Sequence, residues 1–332
     1  MEEIGNGGIL VISLDFELYW GVRDKRTIAE YSDNLLGARK AIPVMLEVFK
    51  KYQIHATWAT VGLLFFDTID EVMAAIPKIK PSYDNAKLRP YDELKVIGNN
   101  EHDDPYHYAL SLIKKIHSYP HQEIGTHTFS HYYCREEGQD IGSFEEDLKA
   151  AMAVGEKRGI RIQSLVFPRN QYNEDYITVA EKCGITSFRG NQKSWIYQGK
   201  KEQEYTIVHK ALRFLDAYVS ITGNNSYPVS EIATKFPFNI PASRFLYPYH
   251  PTLKMFQFLR MQRIFSEMKY AAEHDRVYHI WWHPHNFGSC LPQNIQMLTE
   301  ILEYFSSLQN TYGMKSYSMT ELASKLDKKP DY

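Results

Sequence analysis

Short apolar segments alternate with amphipathic helical segments along most of the chain. The composition of buried strands is found at 9–14, 56–62, 123–125, 162–167, 185–188 and 277–282. Helical spacing of apolar residues is found at 34–52, 143–157, 175–182, 253–272 and 295–308. Ser143 is the expected N-cap of the second of these helices. Strands that alternate with helices indicate an α/β fold with a mostly parallel sheet, open or closed into a barrel. The active site of such a fold lies at the carboxyl ends of the strands.

Two long segments interrupt this alternation. Residues 67–119 are polar with scattered prolines, and residues 190–251 combine aromatic residues, prolines and Gly-Asn-Asn. We interpret both as insertions into one domain that spans residues 1–332. A single α/β barrel domain can reach this length.

A pair of histidines is the clearest chemical signal. His127 and His131 lie four residues apart in Glu-Ile-Gly-Thr-His-Thr-Phe-Ser-His, residues 123–131. On a helical turn, this spacing puts both imidazoles on one side, where they can reach a single divalent cation. Two histidines leave such a site short of ligands. A carboxylate is expected to complete it, and an open position would make the metal catalytic.

Four further polar residues follow the ends of predicted strands: Asp15, Glu17, Arg169 and His283. Asp15 and Glu17 are two residues apart, so in an extended segment both point to the same side. One could bind the metal while the other takes a proton from water. A histidine such as His283 can protonate a leaving amine near neutral pH. Strand-end carboxylates are also common as caps, and Arg169 is explained equally well by a structural ion pair.

The composition excludes several classes of protein. Thirty-eight Lys and Arg face 40 Asp and Glu, and this balance gives no basic excess for a nucleic-acid partner. The three cysteines are odd in number and lack metal-site spacing, which favours reduced thiols in the cytoplasm. No signal peptide and no apolar run long enough to cross a membrane are visible. We therefore expect a soluble cytoplasmic protein.

The histidine segment resembles a known family. His-Thr-Phe-Ser-His, residues 127–131, is similar to the His-[Ser/Thr]-x-x-His metal motif of the polysaccharide deacetylases, also called the NodB-homology family or carbohydrate esterase family four. Residues 56–62 are similar to that family's second strand, and Trp282-His283 to its last motif. The resemblance implies a distorted (β/α)-barrel of about seven parallel strands. It also implies a metal-dependent hydrolase that removes an N-acyl group, most often N-acetyl, from a sugar.

The resemblance also implies roles for individual residues. The family's first motif, Thr-Phe-Asp-Asp-Gly, corresponds here to Ser-Leu-Asp-Phe-Glu at 13–17. Asp15 matches the catalytic base, and Phe16 replaces the metal ligand. We expect Glu17 to be the third ligand beside His127 and His131, although the reversed assignment of the two carboxylates stays open.

Two further roles follow from the same resemblance, and the expected mechanism adds a third. His283 is the expected general acid. Arg169, in Phe-Pro-Arg-Asn-Gln at 167–171, is expected to orient the catalytic carboxylate. A backbone N–H such as that of Tyr132 is expected to stabilise the oxyanion. The metal is one divalent ion, with Zn²⁺ favoured and Co²⁺, Ni²⁺ or Mn²⁺ compatible with the same ligands.

The substrate is predicted less directly. The absence of a signal peptide and the aromatic insertions favour an N-acylated sugar in a capsule or O-antigen precursor, linked to a nucleotide or a lipid. A deformylase or cyclic-imide hydrolase on the same fold, and a non-catalytic glycan-binding homologue, are the alternatives. The apolar residues of helix 253–272 would allow contact with a membrane surface, but a core helix that covers the barrel is the favoured interpretation.

Overall fold

The structure is a computed structural model and describes residues 6–197 and 207–327. Within those residues, ten strands form one sheet. They are β1 (Ile9–Phe16), β2 (Ala56–Thr60), β3 (Gln122–Thr126), β4 (Ser164–Leu165), β5 (Ser187–Phe188), β6 (Tyr227–Pro228), β7 (Phe238–Asn239), β8 (Arg244–Phe245), β9 (Arg276–Trp282) and β10 (Lys315–Ser316). Each predicted strand is found, with its ends shifted by a few residues.

The helices lie between these strands. They are α1 (Ile28–Lys51), α2 (Ile69–Ala75), α3 (Leu110–Ser118), α4 (Ile141–Lys157), α5 (Glu174–Lys182), α6 (Ile207–Asp216), α7 (Val229–Ile232), α8 (Gln257–Glu273), α9 (Pro284–Gly288), α10 (Leu291–Tyr312) and α11 (Met319–Leu326). The N-cap predicted for α4 is wrong. Asp140 caps this helix and forms a reciprocal capping box with Ser143, which is the third helical residue.

Seven strands run parallel in the order β9-β1-β2-β3-β4-β5-β7. The extended segment 238–246 begins with β7 and reaches across to β9. Its first half pairs with β5, and its second half, which contains β8, pairs with β9. β6 joins the outer edge of β9 in the antiparallel direction. The prediction of an α/β fold built on a distorted barrel of about seven parallel strands is confirmed.

The eight residues of β1 are all buried and divide into two sets. Leu10, Ile12, Leu14 and Phe16 belong to the large core cluster that includes the apolar faces of the surrounding helices. Ile9 and Val11 belong to a second cluster with Met319 and Leu322 of α11. Because side chains alternate along a strand, Asp15 continues the second set. Its carboxylate therefore enters the barrel at the carboxyl end of β1, while α11 fills the opposite end.

The two segments interpreted as insertions contain parts of the barrel. In 67–119, α3 packs against β3 and serves as the helix that connects β2 to β3. In 190–251, β7 and β8 complete the ring of strands. Residues 198–206 of that segment lie outside the described residues. What is left as irregular excursion is therefore shorter than the sequence suggests.

α8 packs along the outside of the barrel. Met261, Ile264 and Met268 are buried, whereas Phe258 near its start is exposed. This burial fits the interpretation of 253–272 as a core helix. In the described part of the chain, no helix combines the length and the apolar character needed to cross a membrane.

Candidate active site

Side chains from four strand ends meet at one end of the barrel. Asp15 is the second-last residue of β1 and Glu17 directly follows the strand, while His127 directly follows β3. Arg189 follows β5 and His283 follows β9. Parallel strands present their carboxyl ends at the same rim, so these residues lie close together although they are far apart in the sequence.

Glu17 and the two histidines form a compact cluster. The Nε2 atoms of His131 and His127 lie 2.9 Å and 3.3 Å from the same Glu17 oxygen, Oε2. All three side chains are buried, and their nitrogen and oxygen atoms lie within 4.8 Å of one another. Two imidazoles and one carboxylate are the ligand set of many catalytic zinc sites. Glu17, His127 and His131 could therefore hold one divalent metal ion.

The hydrogen bonding of His127 supports such an ion. Its Nδ1 lies 2.8 Å from the carbonyl oxygen of Val166. A carbonyl only accepts, so Nδ1 carries the hydrogen and the Nε2 of a neutral ring presents a lone pair. That lone pair faces a carboxylate oxygen of Glu17, which is also an acceptor. A cation between the two atoms removes this conflict, so the residues present fit a divalent metal.

The local conformation of the histidine pair differs from the prediction. His127–His131 is a loop rather than a helical turn, and Thr128 and His131 have positive φ angles of 63° and 60°. The imidazoles still converge, because the loop folds back on itself. The placement on one helical turn is therefore wrong, while the expected meeting of the two rings is found.

The loop is held by Asp147 of α4, which the sequence reading missed. The Asp147 carboxylate accepts hydrogen bonds from the backbone N–H groups of Phe129 at 2.7 Å and Ser130 at 3.3 Å, and from the Ser130 hydroxyl. Asp147 is fully buried, and burial raises its pKa to about 6. The available sequence signal for this contact was an acidic residue, Asp147, within the predicted helix that follows the histidine pair.

Asp15 forms a buried ion pair with Arg189. The two guanidinium nitrogens lie 2.6 Å and 2.8 Å from the two carboxylate oxygens, and Arg189 also stacks over the ring of Trp281. Burial alone would raise the pKa of Asp15. The positive charges of Arg189 and the nearby histidines outweigh burial and lower this pKa below its ordinary value. Asp15 therefore stays ionised and fixed in orientation.

Arg189, and not Arg169, contacts Asp15. Arg169 forms ion pairs with Asp24 and Glu136 and lies over the ring of Tyr133. It has a positive φ of 54° in the turn after β4, and the guanidinium that holds Asp15 comes from the end of β5. This corrects the assignment of Arg169 as the arginine that orients the catalytic carboxylate. The alternative interpretation of Arg169 as a structural ion-pair partner fits its contacts.

His283 faces both carboxylates across a gap. Its Nε2 lies 3.8 Å from Asp15 Oδ2 and 3.7 Å from Glu17 Oε1. Its Nδ1 lies 3.3 Å from the amide nitrogen of Asn286, whose amide oxygen accepts a hydrogen bond from Tyr31. Asn286 can present either its amide nitrogen or its amide oxygen to Nδ1, because the Tyr31 hydroxyl can donate or accept. Asn286 therefore holds the ring in place while Nε2 points into the site.

Gly21 leaves room for the Glu17 side chain. A Cβ atom at Gly21 would lie 1.9 Å from the carboxyl carbon of Glu17, so any larger residue would displace the carboxylate. Burial alone would raise the pKa of Glu17, but the neighbouring histidines His283, His127 and His131 lower it well below the ordinary range. The same burial lowers the pKa of His131 to about 4, so this ring is neutral at neutral pH. The cluster thus offers an ionised carboxylate at Glu17 and a neutral imidazole at His131, which is the state of these ligands that binds metal.

The model of the polysaccharide deacetylase family matches residues 23–188, half of the chain. The chain belongs to the polysaccharide deacetylase family. The resemblance predicted from the histidine motif is therefore confirmed. The matched range includes His127 and His131 but begins after Glu17 and ends before Arg189. The carboxylates and the arginine of the site thus lie in the parts of the chain that the family model does not cover.

Several solved structures share the fold. A protein from Mycobacterium smegmatis assigned to the polysaccharide deacetylases has a TM-score of 0.61 at 11% identity, over 98% of this chain and 92% of that one. One from Pseudomonas aeruginosa PAO1 with the same assignment has a TM-score of 0.55 at 12% identity, over 98% and 92%. Puue allantoinase has a TM-score of 0.53 at 12% identity, over 98% and 91%. No curated protein matches the chain.

The backbone N–H of Tyr132 is the group expected from the sequence to stabilise the oxyanion in this member of the polysaccharide deacetylase family. The backbone N–H of Tyr132 donates to the hydroxyl oxygen of Thr128 at 2.7 Å. That hydroxyl in turn donates to the carbonyl oxygen of His127. In this structure the Tyr132 N–H is thus used to shape the loop, and its role as an oxyanion donor stays a prediction.

Proposed function

We propose that this protein is a metal-dependent amide hydrolase that removes an N-acyl group, most often N-acetyl, from a sugar in a surface-polysaccharide precursor. The observation that carries the proposal is the meeting of Glu17, His127 and His131 around one point, with Asp15 and His283 beside it. Membership in the polysaccharide deacetylase family supports the sugar substrate and the deacetylation.

The side chains divide into two functions. Glu17, His127 and His131 would hold the divalent ion, with Zn²⁺ favoured by this ligand set. When bound, such an ion polarises the acyl carbonyl and lowers the pKa of a water molecule. Asp15 is placed to take the proton from that water as its oxygen forms a bond to the acyl carbon. Arg189 keeps Asp15 ionised and aimed, because its guanidinium holds both carboxylate oxygens.

His283 completes the proton transfers. Its Nε2–H points towards the carboxylates and lies 3.7–3.8 Å from an oxygen of each. As the bond between the acyl carbon and the amide nitrogen breaks, the imidazolium form of His283 donates its Nε2 proton to the leaving amine and is left as a neutral ring. The products are a carboxylate, acetate for an acetyl group, and a sugar with a free amine.

The finer identity of the substrate rests on indirect support. The three cysteines, Cys134, Cys183 and Cys290, are all free, as is usual in a reducing compartment. We therefore propose a cytoplasmic enzyme that acts on a nucleotide-linked or lipid-linked N-acyl sugar. The charge balance of the sequence favours no nucleic-acid partner.

The test is a comparison of histidine variants on N-acetylated sugars. His127→Ala and His131→Ala should each abolish both the bound metal and the release of acetate. His102→Ala is the matched control, because the His102 side chain is 97% exposed and lies outside the cluster. It should keep both properties. Retention of turnover by either site variant would refute the proposal.

A hydrolase of cyclic amides is the second candidate. The fold similarity to Puue allantoinase is its specific support. Release of acetate from N-acetyl sugars without opening of allantoin favours deacetylation, and the reverse result favours the cyclic substrate. Release of formate instead of acetate would identify a deformylase. Sugar binding without metal-dependent turnover would identify a non-catalytic homologue.

A further inference from the structure

A second group of metal-binding side chains lies at the opposite end of the barrel. His55 directly precedes β2, His121 directly precedes β3, and Glu321 lies on α11. β2 and β3 pair with Ala56 beside Gln122, so the two histidines are neighbours in register. The backbone N–H of Ala56 also donates to the carbonyl oxygen of His121 at 3.1 Å. Three separate elements therefore bring these side chains together.

The three side chains lie within reach of one metal ion. Glu321 Oε2 lies 2.6 Å from His55 Nδ1, and one ligand atom from each residue lies within 4.8 Å of the others. The two imidazole rings stack with centroids 3.9 Å apart and planes 13° apart. Because the lone pairs of an imidazole lie in the plane of its ring, the exposed His121 ring must turn out of this stack for both histidines to bind the same ion.

Neighbouring contacts hold two of the three residues in position. The backbone N–H of His55 donates to the Ser316 hydroxyl at 3.0 Å. Glu321 is part of the capping box of α11, where the Ser318 N–H donates to its Oε2 at 2.8 Å. Across the described residues, no hydrogen bond reaches a ring nitrogen of His121. The exposed His121 ring thus has nitrogens available for a ligand from solution.

The site is open to water. The side chains of His55 and Glu321 are 21% and 39% exposed. A groove of about 280 Å³ adjoins the histidines and is also lined by Gln53, Gln309, Lys315, Ser316 and Tyr317. The groove can hold water molecules that complete the coordination of an ion. Imidazole and carboxylate together suit Zn²⁺, Co²⁺, Ni²⁺ or Cu²⁺ better than Mg²⁺ or Ca²⁺.

We propose that His55, His121 and Glu321 form a second divalent-metal site that fastens α11 to the starts of β2 and β3. α11 carries Met319 and Leu322, which fill this end of the barrel. An ion bound by Glu321 and the two histidines links that helix to two strands of the sheet. This site is separate from Glu17, His127 and His131, which lie at the carboxyl ends of the strands.

Two conservative substitutions test the site. His121→Asn removes a nitrogen ligand, and asparagine tolerates the positive φ of 63° at this position. Glu321→Gln removes the carboxylate charge, and glutamine can still form the capping box. His102→Asn is the matched control for the loss of an exposed histidine.

The measurement is the number of zinc equivalents bound after equilibrium dialysis of the full chain against micromolar Zn²⁺. We expect two equivalents for the wild type and His102→Asn, and one for His121→Asn and Glu321→Gln. His127→Ala should also bind one, and the combination of His127→Ala with His121→Asn should bind none. The second site is refuted if His121→Asn and Glu321→Gln keep the wild-type stoichiometry. If instead the proposed catalytic metal site is wrong, His127→Ala will bind as many zinc equivalents as the wild type.

Zinc should also raise the melting temperature through this site. In the His127→Ala background, saturating Zn²⁺ at about 100 times its dissociation constant should raise the melting temperature by roughly 5 °C. The same addition should produce no rise once Glu321→Gln is included. An equal rise in both proteins would overturn the role of Glu321 as a ligand.

Discussion

Arg189 is expected to set the pH range in which Asp15 can act as a base. Arg189→Met removes the guanidinium that contacts both oxygens of Asp15 but leaves the carboxylate buried. Burial then raises the pKa of Asp15 without an opposing charge. Asp147 provides an internal reference, because it is fully buried with hydrogen-bond donors but no cationic partner, and its pKa is raised to about 6.

The magnitude follows from the lost charge. An arginine in contact with an aspartate lowers its pKa by about 1–3 units, so Arg189→Met should move the acidic limb of kcat/KM up by about 1–3 pH units. A shift of this size corresponds to about 1.4–4 kcal/mol in favour of the protonated acid. Leaving one buried charge unpaired should also cost about 3–5 kcal/mol of folding free energy.

The assay is the pH dependence of kcat/KM for acetate release by the wild type and three variants. Arg189→Met should move the acidic limb to higher pH, and Arg189→Lys should move it less, because lysine keeps the charge. Arg169→Met is the matched control and should leave the limb in place, since Arg169 pairs with Asp24 and Glu136. An unmoved limb in a folded Arg189→Met protein, or a limb moved by Arg169→Met, would refute the reasoning.

Three other predictions concern the same end of the barrel and its buried histidines. Gly21→Ala should displace the Glu17 carboxylate and weaken metal binding by roughly 10–100-fold in a folded protein, as measured by calorimetric titration. Asn286→Asp puts a negative charge beside His283 Nδ1, so the alkaline limb of the pH–rate profile should rise by about one pH unit. Burial lowers the pKa of His279 and His285 to about 3, below the 6.5 of the unfolded chain. Their contribution to stability is therefore complete above pH 6.5 and lost as pH falls. Urea unfolding of metal-free protein should show that the free energy of unfolding falls by about 2 kcal/mol for each histidine between pH 7 and pH 5. His279→Gln should make this fall smaller by about 2 kcal/mol. The contradicting results are unchanged metal affinity in Gly21→Ala, an unmoved alkaline limb in Asn286→Asp, and the same pH-dependent loss of stability in His279→Gln as in the wild type.

Much of the fold could be predicted because the β/α alternation is a local property of the sequence. The strand β1 illustrates this, since its apolar composition and its polar end mark both a buried strand and the rim of the site. The loop 127–131 illustrates the limit. Spacing alone favours a helical turn, but Asp147 of α4 accepts hydrogen bonds from two backbone N–H groups of the loop and holds it in another conformation. Tertiary hydrogen bonds of this kind cannot be derived from spacing.

The candidate site could be predicted in its chemistry but only partly in its geometry. The sequence identified the histidine pair, both carboxylates and His283, because each stands at or just beyond the end of a predicted strand. It named Arg169 and missed Arg189, although Arg189 also directly follows a predicted strand. That choice depends on how the barrel curls, which brings the end of β5 across to β1. The order of Asp15 and Glu17 likewise depends on which carboxylate the histidines reach.

The most direct test of the central claim is anomalous diffraction at the zinc absorption edge from crystals equilibrated with Zn²⁺. A single ion held by Glu17, His127 and His131 predicts an anomalous peak about 2.0–2.2 Å from the Nε2 atoms of both histidines and from a Glu17 oxygen. Absence of a peak at that position, with zinc bound elsewhere in the same crystal, would contradict it.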